Sequence, residues 1–182
     1  MQQPNKAPAT LWMDFALFAF LIGFDVTARL LPHAPGFMPI AASALFAGRM
    51  LRVPLMAVAV PIAALVLSGL AMDPEDWRIL AAIYAGLALP AVAGVMTRQW
   101  RGALPLVGTM VGCSLAFFAI SNFAVWAFSG MYPLTWQGLT TCYAAAIPFL
   151  DKTVLGDLFW TTVLFGGAWL VQHVPLPGRS AL

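Results

Sequence analysis

The residues that decide the fold run from Ser121 to Gly167, SNFAVWAFSGMYPLTWQGLTTCYAAAIPFLDKTVLGDLFWTTVLFGG. An apolar run ends near Phe128 and another begins near Thr153; between them, aromatic rings are mixed with polar groups. Trp126, Tyr132, Trp136, Tyr143 and Trp160 share the stretch with Asn122, Gln137, Asp151, Lys152 and Asp157. The pattern reads as two membrane helices joined by a long loop, residues 129–152, that stays near the membrane surface. Inside that loop, Thr135–Phe149 is apolar but flanked by Pro133 and Pro148. It reads as a short interfacial or re-entrant helix, not a seventh crossing. Such backbone survives at membrane depth only when buried in protein or lining a cavity.

The rest of the chain sets the frame. Of 182 residues, 62% are hydrophobic and 9% charged. A soluble globule of this size has too much surface to hide so many apolar groups. The expected class is therefore all-α: a single-domain, polytopic membrane helix bundle. Six spans are read at about 11–31, 38–50, 53–72, 79–96, 104–128 and 153–171. A crossing helix needs ~20 residues, so the second must be tilted, extended through Phe37, or shielded by its neighbours. The first apolar run contains Asp14 and Asp25 and is too long for a signal peptide, so it reads as a retained helix.

Charge sets the orientation. Arg49 and Arg52 lie between spans two and three, and Arg98 and Arg101 between spans four and five. Asp73, Glu75 and Asp76, with Arg78, lie between spans three and four. The positive-inside rule puts both arginine pairs in the cytoplasm, together with both termini, Lys6 and Arg179 included. The long aromatic connection then falls on the outer face. The net charge of +2, without a basic cluster, gives no nucleic-acid footprint.

Few residues in the spans can carry chemistry. Asp25 and Arg29 are four apart and read either as a helix-end ion pair or as polar groups turned into the bundle. Asp14 lies near the cytoplasmic end, where water can reach it. Asn122 must find hydrogen-bond partners, either by bridging to another helix or in a pocket. Trp126 reads as an interfacial ring or a pocket wall. Asp151 can cap the last helix, which leaves Asp157, deeper in that helix, to the helix dipole or to a polar cavity. Ala16, Ala19 and Gly23 form a small-residue seam that lets another helix approach closely. Cys113 and Cys142 have no metal-like spacing, and His33 is a lone loop histidine. No G-x-S-x-G, H-E-x-x-H, Walker or C-x-x-C pattern occurs, so an enzyme, a metal centre and a resident cofactor are not expected.

Several motifs resemble a family of small bacterial membrane proteins. They are N-F-x-V-W at Asn122–Trp126, Y-P-x-T-x-x-G-L-x-x-C-Y at Tyr132–Tyr143, A-x-P-F at Ala146–Phe149 and G-D-L at Gly156–Leu158. Phe37–Gly48 is similar to that family's second helix. The family looks related to the substrate-binding S components of energy-coupling-factor vitamin transporters, which include solitary cobalamin transporters. The resemblance implies six helices in the bacterial inner membrane and a vitamin-sized ligand under extended outer loops. It also implies that the first-helix seam meets a transmembrane coupling subunit, itself driven by ATPases. The cobalamin-type group has a cobalt-ligating cysteine near the start of its third or fourth helix. This chain has Leu80 and apolar neighbours there, and no cysteine.

The functional expectation is a substrate-binding subunit or solitary importer for a small vitamin-like or cofactor-precursor molecule. Asn122, Trp126, Tyr132, Trp136, Gln137, Tyr143 and Asp157 would line the site, with rings enclosing a flat ligand and polar groups orienting it. The competing expectation is a non-enzymatic accessory subunit packed against a larger respiratory or photosynthetic membrane complex.

Overall fold

A computed structural model of the chain describes residues 7–32, 36–71 and 76–173, with side chains from Leu11 onward. His33, Asp73 and Glu75 lie outside the described residues, as do Lys6 and Arg179. Six helices follow one another: α1 (Ala7–Leu30), α2 (Ile40–Met50), α3 (Pro54–Gly69), α4 (Trp77–Met96), α5 (Ala103–Phe128) and α6 (Trp136–His173). No strand occurs among the described residues. Four of the helices, α1, α4, α5 and α6, are long and apolar enough to cross a membrane.

The shortest helix is the centre of the bundle. Every residue of α2 from Ile40 to Gly48 is buried, and the helix touches each of the other five. Its sequence, IAASALFAG, explains the position, because small side chains let neighbouring backbones come close. A Cβ on Gly48 would collide with the Ala91 carbonyl of α4, and one on Gly94 would stand 2.5 Å from the Leu45 carbonyl. The buried core is largely alanine, with Leu21, Leu45, Leu51 and Val60 filling the gaps. Large apolar side chains point outward instead; Leu55, Leu70, Leu104 and Val171 are all more than three-quarters exposed. This arrangement is the reverse of a soluble core. It is stable where the surroundings are themselves apolar.

Contacts fix the relative directions of the helices. Asp25 meets Ser43, so α1 and α2 run antiparallel. Gly48 abuts Gly94 while Ile40 lies beside Ile83, so α2 and α4 run parallel. Ser114 meets Asp157, Ala119 meets Tyr143 and Trp126 meets Pro133, which makes α5 and α6 an antiparallel hairpin. The two arginine-bearing turns come together at one end. Arg98 Nε donates to the Gly48 carbonyl at 2.7 Å, and its Nη2 donates to the Leu51 carbonyl, closing the C-terminus of α2. Arg49 reaches back to Thr97 Oγ1 at 3.1 Å and to the Trp100 carbonyl. The α5–α6 turn lies at the other end of α5, about 39 Å away for a helix of 26 residues.

The hairpin itself differs from the sequence reading. The expected long loop with a separate interfacial helix is absent. Residues 136–173 form one helix of 38 residues, about 57 Å long, and the connection is only 129–135. Pro148 sits inside this helix without ending it. An interior proline removes one ladder hydrogen bond, here to the Ala144 carbonyl, at a cost of ~3 kcal/mol. Contacts with α5 on both sides of the proline hold the two halves in line: Tyr143 Oη donates to the Ala119 carbonyl before it, and Ser114 bonds Asp157 after it.

Candidate functional site

The chain between α1 and α2 enters the bundle through two close glycine approaches. Gly36 has φ 78°, the left-handed region that favours glycine, and a Cβ there would stand 2.9 Å from Thr153 Oγ1 of α6. Gly156 lies against Phe37, where a Cβ would come within 3.1 Å of the Phe37 Cα. Residues 36–38 are thus seated on α6, and α2 starts from that support at Ile40. Beside this junction lies a cavity of about 220 Å³. Arg29 contributes from the end of α1, Ile40 and Ala41 from the first turn of α2, and Ile83, Leu87 and Pro90 from α4. Cys113, Ser114 and Phe117 of α5 and Thr153 and Asp157 of α6 close it.

Asp157 is the polar focus. It is 4% exposed, and its Oδ2 accepts a 2.6 Å hydrogen bond from Ser114 Oγ. The same hydroxyl lies 3.0 Å from the Met110 carbonyl, although it has a single hydrogen to give. Among the described residues, Asp157 and Arg29 are the charged side chains of the lining. A second crevice of about 220 Å³ shares Phe117 and Thr153 with the first and extends along α5 and α6 to Ser121, Asn122 and Phe149.

The other residues singled out in the sequence are spread along the hairpin. Asn122 borders the second crevice, but its amide donates to the Phe118 carbonyl of its own helix at 2.8 Å. Tyr143 stacks edge-on against Phe118 and borders a groove between α4 and α5, with Ala82 and Phe123. Trp126 Nε1 donates to the Pro133 carbonyl at 3.1 Å and so fastens the α5–α6 turn. Tyr132 is half-buried, while Gln137 and Trp136 are exposed, the latter 78%. None of the last four lines the Asp157 cavity, which therefore has no aromatic lid of the kind expected.

Of the two acids of α1, Asp25 is turned into the bundle, the second of its two readings, and Asp14 departs from expectation. Asp25 is fully buried; its Oδ1 accepts from Ser43 Oγ of α2 at 2.7 Å, and its Oδ2 has no partner. An interhelical hydroxyl thus holds Asp25 inside the bundle. Asp14 is 8% exposed, not solvated. Ala16, Ala19 and Gly23 are exposed, with nothing within 4 Å of a Cβ on Gly23, so no described helix of this chain uses that seam.

Sequence reasoning missed Ser114, Cys113, Phe117 and the 36–38 segment as cavity residues. A serine inside an apolar helix usually bonds its own i−4 carbonyl, and nothing in the pattern distinguishes Ser114 from Ser121, which does only that. Gly36 and Gly156 were the available signal, since glycine in such positions marks close backbone approach. Among the described residues, no three His, Cys, Asp or Glu side chains gather as a metal site.

Helices and cavity together define an all-helical bundle with four potential membrane-crossing helices and a small, mostly apolar chamber holding two charged groups. Residues 9–178 match the family of unknown function DUF6580, and the chain belongs to that family. No curated protein and no solved structure matches the chain.

Proposed function

We propose that this protein is a membrane-embedded binding subunit, or solitary importer, for a small vitamin-like or cofactor-precursor molecule. The observation that carries the reading is the chamber at the start of α2, with Asp157 buried in its wall. An ionisable side chain held inside an apolar bundle is costly, and such groups mark ligand or ion sites. At about 220 Å³ the chamber is smaller than the roughly 300–1,000 Å³ of pockets for drug-sized ligands, which favours a compact molecule over a cobalamin-sized one. In this reading Asp157 holds the ligand, and Asn122 borders its path along the α5–α6 wall. The ring-bearing end of the hairpin guides entry.

By the positive-inside rule, the clustered Arg49, Arg52, Arg98 and Arg101 face the cytoplasm of a bacterial inner membrane. The α5–α6 turn then faces outward, and the exposed Ala16–Ala19–Gly23 seam is free to meet a coupling subunit. This arrangement supports the resemblance to S components. An accessory-subunit role is the second reading, favoured by Met131, Leu134 and Trp136, all exposed around the α5–α6 turn.

Mass spectrometry of small molecules released from gently purified protein tests the proposal. The expected result is a stoichiometric compound that is lost in Asp157→Ala. Protein that carries nothing, and instead co-migrates in fixed ratio with a larger membrane complex, overturns binding in favour of the accessory role.

A further inference from the structure

We infer that Asp25 is an exchangeable proton site at the junction of α1, α2 and α6, served by a buried water that it shares with Thr161 and Trp160. This goes beyond the binding reading and does not depend on what fills the chamber.

The register of the helices brings these groups together. The Phe24 and Trp160 rings meet edge-on at 5.5 Å, and about one turn along, Leu21 shares a buried cluster with Leu164 and Phe165. α1 and α6 therefore run antiparallel here, with Asp25 and Thr161 at one level of the bundle. Both are turned toward α2. Asp25 accepts from Ser43, and Phe165, one turn beyond Thr161 on the same face, packs on Phe46 at 5.0 Å.

Three buried polar atoms at this level have no partner: Asp25 Oδ2, Thr161 Oγ1 and Trp160 Nε1. Thr161 is unusual for a hydroxyl inside a helix. Its neighbour Thr162 donates to the Leu158 carbonyl at 2.8 Å, the ordinary bond to the preceding turn. Thr161, only 2% exposed, makes no such bond. A carboxyl, a hydroxyl and an indole N–H are what a single water can join, accepting from Trp160 and pairing with the other two in either direction. A crevice of about 300 Å³ adjoins them, with Phe24 and Trp160 in its wall and Leu31 and Pro32 toward the end of α1, and gives that water a way in.

A proton suits this set better than a metal ion, because Trp160 offers only a donor. It also removes the charge of a carboxyl whose burial in apolar surroundings is costly. The proton comes from the shared water, forms the O–H bond at Oδ2, and returns to that water when the carboxyl ionises. Other ionisable groups stand back from the junction. On α1, Arg29 is one turn away and Asp14 about three turns the other way; α3 carries none, and α2 has Arg49 near its C-terminus. On α6, Asp157 lies one turn from Thr161 and is bonded to Ser114, while Asp151, Lys152 and His173 are exposed. Asp25 is thus the group through which a proton gradient acts on the α1–α2–α6 packing.

Infrared spectroscopy of the full chain in lipid nanodiscs tests the site. The wild type is expected to show the carbonyl band of a protonated carboxyl that shifts in D2O and disappears as the pH is raised. Asp25→Asn should abolish this band, and Asp157→Asn should retain it. Thr161→Val keeps the shape, removes the hydroxyl and leaves the acid in place, so it serves should Asp25→Asn fold poorly. It should move the band to higher frequency by weakening the water's hold on the acid.

A spectrum with no band that depends on Asp25 overturns the inference, as does a band that ignores both D2O and pH. A band abolished at fixed pH by sodium but not by potassium identifies a metal-ion site and overturns it too. A band unmoved by Thr161→Val refutes the shared water.

Discussion

Replacing Gly94 by alanine adds one methyl group where α2 and α4 pack backbone to backbone. That methyl would stand 2.5 Å from the Leu45 carbonyl and 2.9 Å from the Gly48 Cα. Ordinary contact begins at 3.4 Å, so α2 and α4 must move apart by about 0.9 Å where both are backbone and neither can rotate away. Overpacking of this kind costs ~1–3 kcal/mol. Alanine recovers roughly 0.5–1 kcal/mol from its better helix propensity, leaving a net loss on the order of 1–2 kcal/mol. Gly112 is the control: it lies within α5, is exposed and has nothing within 4 Å of an added Cβ. Gly112→Ala should therefore gain the propensity term without the clash.

Thermal unfolding in a mild detergent, followed by circular dichroism, measures both variants. The midpoint of Gly94→Ala should fall by on the order of 2–6 °C and that of Gly112→Ala should hold or rise. A Gly94→Ala protein as stable as wild type would refute the close α2–α4 contact, and with it the central position of α2.

Two further substitutions test the polar contacts. Arg98→Lys should destabilise the bundle by roughly 1–3 kcal/mol, because one ammonium cannot reproduce the fork that reaches both the Gly48 and Leu51 carbonyls. An unchanged midpoint would show that α2 needs no such cap. Ser114→Ala should cost ~1–3 kcal/mol by leaving the buried Asp157 Oδ2 without its donor. Adding Asp157→Ala should cost less than the sum of the two single changes, as measured by a double-mutant cycle in the same unfolding assay. Simple additivity would refute the Ser114–Asp157 bond.

The helical, apolar character of the chain is legible from composition, and so are the positions of α1, α4 and α5. The sequence places spans at 79–96 and 104–128, and α4 and α5 run Trp77–Met96 and Ala103–Phe128. These limits are local: runs of apolar residues end at Asp76, Thr97, Gly102 and Ser129. Asp157 is legible in part, as an acid set deep in an apolar helix.

Facing and partnership were not legible, because a helix surrounded by lipid is apolar on every side and shows little amphipathic stripe. Nothing in IAASALFAG alone separates a short crossing helix from a buried central one; five neighbours covering it make that decision. Pro133 and Pro148 argued locally for breaks around a loop helix, yet contacts with α5 on both sides of Pro148 outweigh the lost hydrogen bond. The chamber itself belongs to no single segment. Arg29, Ile40, Ser114 and Asp157 come from four helices and meet where Gly36 and Gly156 let residues 36–38 sit against α6. The sequence by itself determined that these helices would form in apolar surroundings. Their tertiary packing alone determined which polar groups share one enclosed space, since that depends on backbone approaches between residues far apart in the chain.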